Sequence, residues 1–96
     1  MAKIIWTHEA EQWLSEIFDY ISLDNSKYAQ KTVEGIYNKV QILSEFPEIG
    51  YKHERQFQEN IRILLYGHYR IAYLHHNDEV KILGVFHGAL DIKRYL

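Results

Sequence analysis

Three residues in the second half of the chain, Arg62, Arg70 and His87, have the types needed for phosphate chemistry. RNA cleavage requires a base for the 2′-hydroxyl proton, an acid for the leaving oxygen and a cation for the crowded phosphate. Histidine titrates near neutrality, and the arginine fork fits phosphate oxygens. Each of the three lies in or at the end of a short alternating run. In Asn60–Leu65, Ile61, Ile63 and Leu65 take one face and Arg62 the other. In Tyr69–Leu74, Arg70 opposes Ile71 and Tyr73; in the last run Lys81 shares parity with His87, although Leu83 and Val85 lie between. Alternation therefore predicts Arg62, Arg70 and His87 on one sheet face, the one that helices leave open. The competing reading makes both arginines solvated strand residues paired with Asp or Glu, and His87 the end of a strand. Spacing alone leaves both open.

Other chemistries find less support. His75-His76 with Asp78 and Glu79 has metal-ligand residue types, but neighbours on a turn point apart and no helical His-x₃-His exists. No metal and no cofactor are expected. Gly-rich phosphate loops, nucleophile elbows and paired carboxylates are missing. With no cysteine, disulfides and thiolate sites are excluded, and the chain suits a reducing cytoplasm. The amino end, Met1-Ala2-Lys3-Ile4-Ile5-Trp6, does not read as a signal peptide, and no apolar run approaches a membrane span. The expectation is a cytoplasmic protein with no membrane partner. The net charge of −2 is unevenly spread: residues 1–48 carry four basic and eight acidic side chains, residues 49–96 seven and five. Five of the six histidines fall in the second half. Wholesale binding to a nucleic-acid backbone needs a larger basic surplus.

The elements that would position these residues follow from patterning. Ninety-six residues make one domain, residues 1–96, with a thin core. Lys3–Trp6 reads as a strand, and Thr7 is placed to cap a helix whose stripe is Ala10, Leu14, Ile17 and Ile21. Asn25-Ser26 starts a second helix with the stripe Ala29, Val33, Ile36, Val40 and Leu43, which Pro47 stops. The short link Leu23–Ser26 makes the pair an antiparallel hairpin. After the irregular stretch Glu48–Glu59, three strands are expected, Asn60–Leu65, Tyr69–Leu74 and Val80–Phe86. Tyr66-Gly67-His68 and His75–Glu79 are the turns between them. The predicted fold is α+β: a strand, an antiparallel two-helix hairpin, then a three-stranded antiparallel meander, in two layers. The first helix also carries Trp13, Phe18 and Tyr20, a band wider than one core contact needs. Phe18 and Ile17 are expected in the core, while Trp13 and Tyr20 are candidates for meeting a partner.

Taken in order, these pieces resemble the RelE/ParE superfamily of type II toxin–antitoxin toxins, also labelled plasmid stabilisation proteins. The residues that carry the resemblance run through nearly the whole chain. They are Trp6-Thr7-His8-Glu9-Ala10, Phe46-Pro47-Glu48-Ile49-Gly50, Ile61-Arg62-Ile63-Leu64, Gly67–Tyr73 and Val80–Asp91. The resemblance implies a strand–helix–helix–three-strand fold and a cognate antitoxin whose flexible segment wraps the toxin; Trp13 and Tyr20 are the expected antitoxin contacts. It also implies one of two activities. ParE-like members poison DNA gyrase without catalytic residues, and the long hairpin and the ending His87–Leu96 look more like these. On that branch His87, Asp91, Lys93, Arg94 and Tyr95 would meet the target. RelE-like members cleave mRNA on the ribosome, and Arg62, Arg70 and His87 would be their catalytic positions here. The basic cluster is thinned, however, and the chain is slightly acidic where a ribosomal RNA surface demands positive charge. A further alternative is an inactive binding module kept for its antitoxin complex. The oligomeric state is left open.

Overall fold

Strand β1 (Lys3–Trp6) forms from a β-branched and aromatic run and leads directly into helix α1 (His8–Ser22). In this computed structural model, which describes residues 1–53 and 61–88, Thr7 joins the two. Its Oγ1 accepts from the Ala10 amide at 3.2 Å and donates to the Ile82 carbonyl at 2.6 Å. One hydroxyl thus caps the helix and ties its start to a strand 75 residues away. Glu9 and Glu11 sit in the first turn, where the helix dipole favours them. Helix α2 (Ser26–Val40) is capped by Asn25, whose side chain accepts from the Tyr28 amide at 3.0 Å. Its stripe differs slightly from the expected one: Thr32 is buried and Val33 only half so. Leu43 lies in a 3₁₀ turn (Gln41–Ser44) rather than in the helix. The Tyr37 hydroxyl near the end of α2 donates to Glu11 near the start of α1 at 2.7 Å, which is the pairing of an antiparallel hairpin.

The remaining strands are β2 (Tyr51–Lys52), β3 (Ile61–Tyr66), β4 (Tyr69–His76) and β5 (Glu79–His87). The expected meander is present as β3, β4 and β5, but the sheet is larger and mixed. Its order is β1-β5-β4-β3-β2, and β1 runs parallel to β5, pairing Lys3–Trp6 with Glu79–Ile82. The short β2 extends the other side inside the stretch read as irregular. Both turns are tighter than expected. Tyr66 pairs with Tyr69 across Gly67-His68, and His76 with Glu79 across Asn77-Asp78. Gly67 (φ +56°) and Asn77 (φ +54°) occupy the left-handed region that two-residue hairpins demand and that Gly and Asn tolerate best.

The helices cover one face of the sheet. Ala10, Leu14, Ile36 and Val40 meet Leu64, Ile71, Tyr73, Ile82 and Val85 in the main core. On the second face Ile63, Ala72 and Phe86 form a smaller cluster. At the centre Tyr73 is fully buried and its hydroxyl is saturated, donating to the Pro47 carbonyl at 2.8 Å and accepting from the Gly50 amide at 2.9 Å. Gly50 must be glycine for this approach. A Cβ there would lie 2.7 Å from both the Ile63 carbonyl oxygen and the Tyr73 hydroxyl.

Two outcomes are expected from these contacts. Tyr73→Phe strands a buried N–H and a carbonyl, so urea denaturation should show a loss of about 1–3 kcal/mol. Burial and Glu11 push the Tyr37 hydroxyl from 10.0 up to about 12. A proton held more tightly by the folded state stabilises it below the unfolded value, and that stability is lost as pH rises. Melting temperature should therefore fall between pH 10.0 and about 12, and fall less in Tyr37→Phe.

Candidate functional site

Register decides where the three candidate residues point. Across the two-residue turn, even-numbered β3 residues share a face with odd-numbered β4 residues. Arg62 pairs with Tyr73 and takes the helix-side face, whereas Arg70 pairs with Leu65 and Phe86 and takes the second face. The expectation that Arg62, Arg70 and His87 share one face is thus corrected. It rested on a three-residue link at Tyr66-Gly67-His68, and one residue fewer flips every β4 side chain. The expected parity of Lys81 and His87 fails too. Ala72 pairs with Gly84 but Tyr73 with Ile82, so Leu83 is an extra residue and the faces exchange across it. His87, opposite Tyr69, does share the helix-side face with Arg62. The two pair with positions four residues apart on β4, about 13 Å along the strand.

Each side chain has its own local employment. The Arg62 guanidinium donates through Nη1 to the Glu48 carbonyl at 3.0 Å and to the Gly50 carbonyl at 2.8 Å. It grips the same turn that Tyr73 holds. Burial pushes the Tyr73 hydroxyl above its usual range, while the Gly50 amide and the Arg62 charge oppose that shift. Arg70 donates to the Gly88 carbonyl at 3.4 Å, beside the amide of Gly88, which itself donates to the His68 carbonyl at 2.6 Å. His87 is exposed at the end of β5, its ring 5.7 Å from Tyr69 edge-on and 6.3 Å from His68. A general base, a general acid and a phosphate-binding cation are therefore not brought together by these three residues.

The aromatic candidates divide. Trp13 is half-buried and packs on both core clusters, its ring 4.7 Å from Phe86. Ile17 packs on the main core as expected, but Phe18 is exposed rather than core, since it falls off the α1 stripe. Tyr20 stands 78% exposed near the hairpin tip. Leu23 and Tyr28 are exposed beside it, and Tyr69 lines the same hollow. Burial and the nearby Tyr28 raise the Tyr69 hydroxyl above its usual range. Sequence patterning does not single out Tyr28, Tyr66 or Tyr69. Tyr66 and Tyr69 flank Gly67, and a two-residue turn there would have paired them. Asp91, Lys93, Arg94 and Tyr95 lie outside the described residues.

A family model described as the ParE toxin of type II toxin–antitoxin system, parDE, matches residues 4–92. Among solved structures, a chain from the chromosomal ParDE TA system of P. aeruginosa shares the fold, with a TM-score of 0.75 at 23% identity. That likeness covers 91% of this chain and 96% of the other. No curated protein matches the sequence.

The placement of the two residue types leads to opposite expectations on mutation. Arg62→Ala removes the donor of two carbonyls and should cost about 1–3 kcal/mol in chemical denaturation. His87→Gln, on an exposed strand end, should stay within about 0.5 kcal/mol of the parent.

Proposed function

The chain belongs to the ParE toxin family of type II toxin–antitoxin systems, and on that premise we propose that it poisons DNA gyrase and is neutralised by a cognate antitoxin. Inhibition works through protein–protein binding in the cytoplasm, where gyrase meets DNA. The observation that carries binding over catalysis is the register that sends Arg62 and Arg70 to opposite faces. With Arg62 engaged on the Glu48 and Gly50 carbonyls, RNA cleavage by this trio has no shared site at which to occur. The slightly acidic net charge of −2 is also poorly suited to a ribosomal RNA surface. Family membership implies an antitoxin, and the exposed Tyr20 is a suitable aromatic anchor for it.

Target contact is assigned to His87 and to Asp91, Lys93, Arg94 and Tyr95 beyond it, a segment of mixed charge. Complementary charges of this kind set orientation and on-rate when two proteins meet. Among the described residues no helix is long and apolar enough to cross a membrane, and the reading requires none.

Purified protein is expected to inhibit gyrase supercoiling, or to trap gyrase on cleaved DNA, and to leave ribosome-bound mRNA intact. Truncation after Gly88 should abolish that inhibition, with circular dichroism and thermal melting distinguishing lost contact from lost fold. Cleavage of ribosome-bound mRNA at low protein concentration, with gyrase untouched, would overturn the reading.

A further inference from the structure

Two adjoining hollows of about 580 and 730 Å³ open where the hairpin tip faces the β3–β4 turn. They share Asn25, Tyr28 and Tyr69. Their walls combine two chemistries. Tyr28, Tyr66 and Tyr69 supply aromatic surface, while Lys27 and Lys31 supply positive charge and His68 a polar ring. Two of these rings are held in place: Tyr69 packs on the main core, and the Tyr66 ring lies against α2 at Gly35, in space that any larger residue there would need. Anchors already fixed lose little entropy on binding.

The charge around this cleft is arranged in one direction. Helix α2 has no acidic residue in its first turn, so its positive end and the exposed Lys27 and Lys31, one turn apart, act together. The next acid, Glu34, is engaged with the Gln30 side chain at 3.1 Å. Asp24, just before the cap, is the acid that lines the cleft itself. Helix α1 is the opposite, with Glu9, Glu11, Glu16 and Asp19 exposed along it. We propose that this cleft docks an acidic peptide segment of a partner protein, its carboxylates on Lys27 and Lys31 and an apolar side chain against Tyr28 and Tyr69. The acidic flank of α1 repels such a segment and fixes its course along α2. A nucleic acid fits less well, because two lysines neutralise few phosphates and the chain as a whole is negative. The proposal deepens the antitoxin reading and rests on it for the bearer of the segment; the recognition chemistry comes from the cleft.

Titrating the isotope-labelled full chain with a short peptide of alternating Glu and Leu tests the recognition directly. The amide signals of Lys27, Tyr28, Lys31, Gly67 and His68 should move. Lys27→Glu combined with Lys31→Glu should weaken binding by about tenfold or more at an unchanged melting temperature. The same pair of substitutions should weaken the complex with the product of the adjacent antitoxin gene by a similar factor. Lys3→Glu, on β1 and away from the cleft, should not. Peptide binding that ignores the double substitution, or signals that move elsewhere, would overturn the proposal. Tighter binding of oligo-dT than of the peptide at these residues would also overturn it, in favour of a nucleic-acid surface. A chain that binds the peptide through Lys27 and Lys31 but binds no antitoxin would uphold the cleft and defeat the antitoxin reading instead.

Discussion

The saturated hydroxyl of Tyr73 is the constraint on which the arrangement of the sheet depends. A phenol at the centre of a small core is tolerable only with both hydrogen-bonding capacities used, and here the Pro47 carbonyl and the Gly50 amide use them. That requirement brings the chain after the helices back across β3, where no side chain larger than hydrogen fits at position 50. Arg62, the cross-strand neighbour of Tyr73, then closes the same turn by donating to the Glu48 and Gly50 carbonyls. With the turn fixed, Tyr51 and Lys52 fall into register with Ile63 and Arg62 and add a fifth strand. One polar atom in an apolar core thus specifies where a loop sits, how a strand begins and what an arginine does.

Much of this architecture is legible in the amino-acid sequence, and the exceptions have definite causes. The helices are readable because Thr7 and Asn25 sit where caps belong and the apolar stripes recur at helical spacing. The three meander strands are readable from alternation. Side-chain direction is not, since it depends on turn length to the single residue and on the bulge at Leu83, and neither leaves a mark on composition. Arg62 and Arg70 differ by an even number, which looks like a shared face until the turn is counted as two residues. The parallel pairing of β1 with β5 is also hidden. A four-residue strand carries no signal of which distant strand it will join.

The surface divides by helix in its charge. α1 presents carboxylates to solvent, the first turns of α2 present lysines and tyrosine, and the far end of β5 presents His87. Tyr20, Leu23 and Tyr28 place exposed apolar surface together at the hairpin tip, while Phe46, Ile49, Tyr51 and Leu65 expose more elsewhere. The wide aromatic band on α1 is correspondingly two things at once. Trp13 bridges the two core clusters, and Tyr20, two turns later, leaves the protein altogether. A band that looks uniform in sequence is thus split along α1, Trp13 lying against Phe86 and Tyr20 standing in solvent.

The hydroxyl of Thr7 reaches Ile82, and among the described residues β1 beside it pairs with β5 alone. During synthesis at about 5–20 residues per second, the amino end therefore waits roughly 4–15 s for the residues that complete it. Until then the apolar stripe of the helical hairpin lacks the part of the core that Val80, Ile82 and Val85 supply, and contacts this distant in sequence also slow the closing step. A nascent or prematurely released chain consequently lacks the assembled surface through which a toxin of this kind would act. The fold closes only once β5 has emerged, and until then chaperones and proteases meet an unfinished chain.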